Sequence, residues 1–312
     1  MSNPLPNVLH TYQNHTLDST RWNHYTPRAD DIIVATAYKS GTTWTLGIVR
    51  QLILLTQAVP PSDDLWIEAR FEPPGERITE AEAQQHRRFI KTHLPLDGLP
   101  FYPQVKYIVV GRDPRDVFMS LWNHYANHTV DFYAFINDIP DRVGAPFPVC
   151  AQDIHAFWRE WITHGWFAWE SEGYPYWGNL HHTQTWWNYR QLDNILFVHY
   201  NDVLADLAGE IGRSATFLKI ELRGAALPAL LDAVSLAAMR SAAEKTRPIL
   251  EQTWHGGATT FFFNGTNGRW RDVLVPEELL LYEQTASRVV PSESRRWLEQ
   301  GRAALTAHGV VA

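Results

Sequence analysis

The chain has 312 residues, 45% of them hydrophobic and 20% charged, enough for a sizeable core in one large α/β domain with no second domain needed. A net charge of −7 argues against a general nucleic-acid or polyanion surface and still allows a local basic pocket. Cys150 is the only cysteine, which excludes an intrachain disulfide and a cysteine-built metal site and fits a reducing cytoplasm.

Residues 1–29 are polar and aromatic, with Arg21, Trp22 and Pro27, and read as an N-terminal arm lying over a main domain of residues 30–312. The start lacks a charged segment followed by an apolar one, and no run of 18 apolar residues occurs. The expectation is a cytoplasmic protein without membrane insertion.

Ile32 to Thr36 reads as a buried strand, and Leu46, Val49, Leu52, Ile53 and Leu55 have the spacing of the helix that follows. Between them stand Lys39, Ser40, Gly41, Thr42, Thr43 and Trp44. A glycine turn opening on unpaired helix amides, with a lysine and three hydroxyls, is a phosphate cradle in outline, although it is not the GxxxxGK[ST] of the common P-loop. The plain alternative is an ordinary turn with Thr42 or Thr43 as N-cap.

Residues 57–75 are proline-rich and read as loop. Thr79, with Glu82 three residues on, has capping-box spacing and predicts a helix start. Arg88 to Pro95 predicts a second strand with His93 at its carboxyl end, beside Lys91 and Thr92. Val105 to Val110 is a third strand, running into Asp113 as N-cap and Pro114 at the first helical position. Arg112 then sits at a strand terminus and Ser120 about 10 Å along the helix, so one phosphate beside the helix could touch both. Otherwise Arg112 pairs with a neighbouring aspartate and Ser120 merely packs.

From Asn123 to Tyr189 the chain is crowded with aromatic residues, readable as core or as the lining of an apolar acceptor pocket. His155, His164, His181 and His182 have no metal-ligand spacing, and no metal is expected. Asn194 to Tyr200 is a fourth strand, followed by helices near 202–220 and 227–243, a glycine-punctuated loop from Phe261 to Arg271, and a last helix near Pro276.

Strands separated by helical segments imply an α/β fold, one domain with a central parallel sheet flanked by helices. Ligands of such sheets sit beyond the carboxyl ends, where Lys39, His93, Arg112 and Tyr200 gather. Two cations, a histidine and a glycine-rich loop at one edge describe a site for a multiply phosphorylated nucleotide with a candidate base.

These residues resemble a known family. Residues 35–44 are similar to the TYPKSGTTW signature of the soluble sulfotransferases that use 3′-phosphoadenosine-5′-phosphosulfate (PAPS), residues 91–95 to their KTHLP, Arg112 with Ser120 to their R-N-P-x-D-x-x-x-S element, and residues 262–270 to their late F-R-K-G-x-x-G-D-W loop. The order and spacing run across roughly residues 30 to 275, with wording closest to bacterial, including mycobacterial glycolipid-type, members.

The resemblance implies a P-loop-like phosphosulfate loop of Lys39, Ser40, Gly41, Thr42 and Thr43, with Trp44 stacking on adenine. It also implies Arg112 and Ser120 on the 3′-phosphate together with the late loop at Asn264 and Gly265, and Tyr200 on adenine. His93 would be the general base, Lys39 would stabilise the leaving phosphate and Lys91 would assist. PAPS would be the donor and the desulfated bisphosphate, PAP, the product, without a metal. The acceptor would be a hydroxyl on a small apolar or aromatic molecule.

Five positions depart from the family pattern. Tyr38 stands for a proline, Phe263 and Asn264 for Arg-Lys, Arg269 for an aspartate and Leu236 for a phenylalanine; Arg269 and Arg271 are the candidate replacement cations. No clear copy of the animal dimerisation motif is present, so monomer and homodimer stay open. A P-loop-type kinase and a non-catalytic nucleotide-binding protein with a degraded 3′-phosphate loop are the alternatives.

Overall fold

The apolar run Ile32–Thr36 forms the central strand, β1, with all five residues buried. Ile33 and Ala35 enter one apolar layer, Ile32 and Val34 the other. A strand covered on both faces needs such an unbroken apolar stretch, as parallel sheets do. The computed structural model describes residues 4–60, 65–139 and 142–306.

Beside β1 lie β2 (Leu65–Trp66), β3 (Phe89–Thr92), β4 (Lys106–Gly111) and β5 (Ile195–His199), in the order β2-β3-β1-β4-β5, every neighbouring pair parallel. Ala35 is level with Thr92 on one side and Val109 on the other, so the loops after β1, β3 and β4 leave at one edge. The chain departs from β1 to opposite sides, which makes this edge the switch point where open parallel sheets hold their ligands. Helices Thr42–Leu54 and Leu207–Leu218 pack one face through Val49, Leu52, Ile211 and Ala215. The other face carries Pro114–Tyr125, Ile154–Thr163 and Asn179–Trp187.

Several boundaries differ from the sequence reading. Helix Thr42–Leu54 is capped by Gly41 in the left-handed region (φ 114°), without a side-chain cap from Thr42 or Thr43. The helix expected at Thr79 starts three residues earlier, at Glu76, because Gly75 (φ 88°) makes the turn; Thr79 Oγ1 instead donates to the Gly75 carbonyl at 3.1 Å. The loop read over 57–75 contains the edge strand β2, and its residues 61–64 lie outside the described residues.

Each of the two long helices expected after β5 is broken. Asp206 accepts from Gly209 N–H (2.8 Å) and divides Tyr200–Ala205 from Leu207–Leu218, while Ser235 accepts from Ala238 N–H (3.2 Å) and divides Leu227–Ala233 from Leu236–Thr246. Short polar side chains compete with the helix for backbone donors, and here they win.

The N-terminal segment contributes Tyr12, Leu17, Trp22 and Tyr25 to the same core layer as Ile33 and Tyr107. Among the described residues no single helix is long and apolar enough to cross a membrane, although the bent pair Gly224–Ala233 and Leu236–Thr246 would pass by length and composition.

Candidate active site

Lys39 (φ 63°) and Gly41 (φ 114°) both adopt left-handed backbone, a combination that turns the chain sharply into helix Thr42–Leu54. A side chain at Gly41 would also strike Tyr200, whose Cδ2 lies 2.9 Å from the position a Cβ would take. The Lys39 turn is tied down by Arg112, whose Nη1 donates to its carbonyl at 3.1 Å. The first residues of the helix, Thr42 to Trp44, line a cavity of about 1090 Å³ at the carboxyl edge of the sheet.

Lys39, Gly41, Thr42, Thr43, Trp44, Lys91, His93, Arg112, Ser120, Tyr200, Asn264 and Gly265 all line this cavity. Ser40 does not. Its side chain is fully buried, with Asn179 Nδ2 3.5 Å from its Oγ, and its N–H donates to the Ala37 carbonyl at 3.3 Å. The left-handed turn at Lys39 points the Ser40 side chain into the protein.

His93 is held by one backbone carbonyl and one carboxylate. Its Nδ1 lies 2.9 Å from the Thr36 carbonyl, and its N–H donates to Glu68 Oε1 at 2.8 Å. A carbonyl only accepts, so Nδ1 carries the proton and Nε2 keeps its lone pair. Burial lowers the imidazole to about 3, with Lys91 and Lys39 adding to the effect, so the ring is neutral at pH 7. Glu68 also accepts from Thr92 Oγ1, Trp66 Nε1 and Trp22 Nε1, and burial raises its carboxyl. Lys91 Nζ lies 4.8 Å from the centre of the Trp66 ring.

The Lys39 ammonium meets an imidazole, not a carboxylate. Its Nζ is 3.1 Å from His124 Nδ1 and 5.1 Å from the centre of the Phe261 ring. Burial lowers Lys39 to about 7, helped by the charge of Arg112. Tyr38 Oη is 2.6 Å from His124 Nε2, and its ring stacks on Tyr176 at 4.5 Å.

Arg112 joins the two loops of the site. Beyond Lys39 it donates to the Thr266 carbonyl and twice to Asn267 Oδ1, and it stacks on Tyr200 at 4.1 Å. No aspartate takes it among the described residues, since Asp113 pairs with Arg115 and Asp116 accepts from Gly268 N–H. The two candidate replacement cations separate: Arg269 lines the cavity, stacked on Phe263 at 5.1 Å, whereas Arg271 stacks on Trp270 and borders a different depression beside Asp116. Arg269 Nε and Trp44 Nε1 are buried donors on this wall without hydrogen-bond partners among the described residues.

The aromatic segment divides between its two readings. Trp158, Trp161, Trp177 and Trp186 are core, while His128, Phe132, Phe147 and Tyr176 line the cavity. A ladder of rings leads away from Lys39 through His124, His128 (5.0 Å) and Phe132 (4.0 Å). His124 and Glu68 were missed from the sequence. His124 was findable, because it stands four residues after Ser120 and so shares its helix face; Glu68 gave no signal, being set by the unexpected edge strand.

The arrangement can hold an anion at a helix terminus, place two cations on it and present a neutral imidazole to a nearby group. A family model for the sulfotransferase domain matches residues 29–287. The glycolipid sulfotransferase of Mycobacterium tuberculosis is 33% identical over 93% of this chain and 94% of its own length, and rat sulfotransferase 2A6 is 25% identical over 80% and 81%. Two solved structures share the fold with a TM-score of 0.67: mouse sulfotransferase SULT7A1 complexed with PAP (19% identity, 93% of each chain) and retinol dehydratase with androsterone and PAP (22%, 88% of this chain and 84% of that one). These matches displace the kinase alternative, and the chain belongs to the sulfotransferase family.

Proposed function

We propose that the protein transfers the sulfuryl group of PAPS to a hydroxyl on an apolar or aromatic acceptor. The observation that carries this is one cavity lined together by Thr42–Trp44 at the helix start, by Lys39, Arg112 and Arg269, and by His93, whose Nδ1 is committed to the Thr36 carbonyl. PAP in the related structures supports the donor, and the unpartnered Arg269 Nε and Trp44 Nε1 fit a 3′-phosphate and an adenine edge.

His93 would take the acceptor proton on Nε2 as the acceptor oxygen forms its bond to sulfur. The bond from sulfur to the bridging phosphate oxygen breaks, and its electron pair stays on the phosphate. Lys39 and the helix amides would meet the charge that builds on that oxygen, Lys91 would assist, and Arg112, Ser120 and the Asn264–Gly265 turn would hold the 3′-phosphate with Arg269. Preorganised charge of this kind supplies most of the rate in group transfers with anionic leaving groups.

The cavity exceeds an ordinary small-ligand site and has room for donor and acceptor together. The name of the mycobacterial relatives favours a glycolipid hydroxyl over a small phenol as the acceptor. Residues 30–312 are taken as the catalytic domain, and the location proposed is the cytoplasm, with which the single cysteine, Cys150, is compatible.

The deciding experiment is calorimetric titration of the protein with PAP, with 5′-AMP and ATP as controls. Micromolar PAP binding, with both controls far weaker, is expected. No preference for the 3′-phosphate would overturn the donor.

A further inference from the structure

Lys39 is the cation assigned above to the leaving phosphate oxygen, and among the described residues its ammonium has one hydrogen-bond partner, His124 Nδ1 at 3.1 Å. Among the described residues no carboxylate pairs with it. An ammonium only donates, so His124 Nδ1 must accept; Nε2 then carries the hydrogen and donates to Tyr38 Oη at 2.6 Å. His124 is 3% exposed, and its ring is enclosed by Trp254 (4.5 Å) and His128 (5.0 Å). Packing alone could be met there by a phenyl ring. The two nitrogens, each with a partner at hydrogen-bond distance, are what a phenyl ring would lack.

Resting on the reading of Lys39 as the leaving-group cation, we propose that His124 is a positioning residue for Lys39, its tautomer fixed by Tyr38. One ammonium hydrogen stays on Nδ1, and the other two point to the cavity for the donor's phosphate oxygens. This gives Tyr38 a purpose at the position where the family signature has proline, which has no hydroxyl to fix the ring. The bond also favours the charged form of Lys39 against its burial.

The titratable and charged groups facing this pair are Tyr38, His128, His93 and Arg112. Burial holds His128 and His93 at about 3 and keeps the Tyr38 hydroxyl protonated. None of them titrates between pH 6 and 8.5, where Lys39 does.

The test is PAP affinity across that range in the wild-type protein and in His124→Phe, His124→Leu and His124→Asn. Asn Oδ1 falls where Nδ1 was, so Asn restores the acceptor while the other two remove it. At pH 6 all four proteins should agree within about threefold. At pH 8 the Phe and Leu proteins should bind roughly tenfold more weakly than wild type, and Asn within about threefold of it, as expected for a hydrogen bond to a charged group. PAP's own titration cancels in these ratios.

A packing role predicts the reverse order, with Phe tolerated and Asn harmful. That order, or pH profiles that superimpose, would overturn the proposal while wild-type binding leaves the donor intact. Absence of PAP binding by the wild-type protein would instead overturn the donor reading and this role with it. Leu serves as a second acceptor-free variant, so that one misfolded protein does not decide the result.

Discussion

His93 and Lys39 are depressed by the same cause, burial, with opposite consequences for pH dependence. A general base must be neutral, and His93, lowered to about 3, is neutral throughout the ordinary range, so the acid limb of activity should lie well below the usual imidazole pH of about 6.5. Lys39 must be charged, and in the free enzyme it loses its proton as pH rises through about 7. The profile of kcat/KM for PAPS, which reports the free enzyme, should therefore fall on its alkaline side near pH 7, while kcat, measured with the anionic donor in place, should hold to higher pH. An alkaline limb at the same pH in both would mean that Lys39 does not meet the donor. Replacing His93 by Ala should lower the formation of sulfated product from labelled PAPS by a factor of about 10² to 10⁴ with PAP affinity kept within a few fold. Near-normal turnover would remove its role as the base.

At the scale of elements, the site depends on how β1 passes into helix Thr42–Leu54. Gly41 performs two tasks there: it takes a φ of 114°, and it leaves room for the Tyr200 ring. An alanine would be strained and would push Tyr200, on which Arg112 stacks, away from the loop. We expect Gly41→Ala to weaken PAP binding at least tenfold, beyond any fall in melting temperature; calorimetry and thermal unfolding on the same sample separate the two effects. Unchanged affinity would show that the turn tolerates the side chain and that the cradle is not preorganised. This loop was legible in the sequence because its chemistry is local, a strand, a glycine and a helix start within a dozen residues. The helix breaks at Asp206 and Ser235 were not, because apolar spacing continues through them and only the capping hydrogen bonds end each helix.

For the whole molecule, the start of the sheet is secured by Asp31 and Arg88, both almost fully buried. The Asp31 carboxylate takes Arg88 Nε at 2.7 Å and the N–H of Arg28 at 2.7 Å, and it also accepts from Tyr25 Oη, so one group joins the N-terminal segment, β1 and β3. Arg88→Met leaves a buried charge unpaired and should cost about 3–5 kcal/mol in urea unfolding. Because the pair lies at the amino end of the strands, PAP affinity of the folded fraction should be unchanged. A loss under 1 kcal/mol would mean that water reaches Asp31 once the arginine is gone.

The parallel sheet, the carboxyl edge that carries the candidate site and the phosphate-cradle residues lining the cavity there were all legible in the sequence. Each of these follows from short-range signals: unbroken apolar strands, a glycine before a helix, polar residues at strand ends. Tertiary structure alone decided which neighbours those residues meet. Arg269 reaches the cavity and Arg271 does not; Ser40 turns inward; Glu68 holds the backbone of His93 from the turn after the edge strand; and Lys39 meets His124 across 85 positions of sequence. Such pairings depend on where separate segments are packed against one another, which local spacing does not encode.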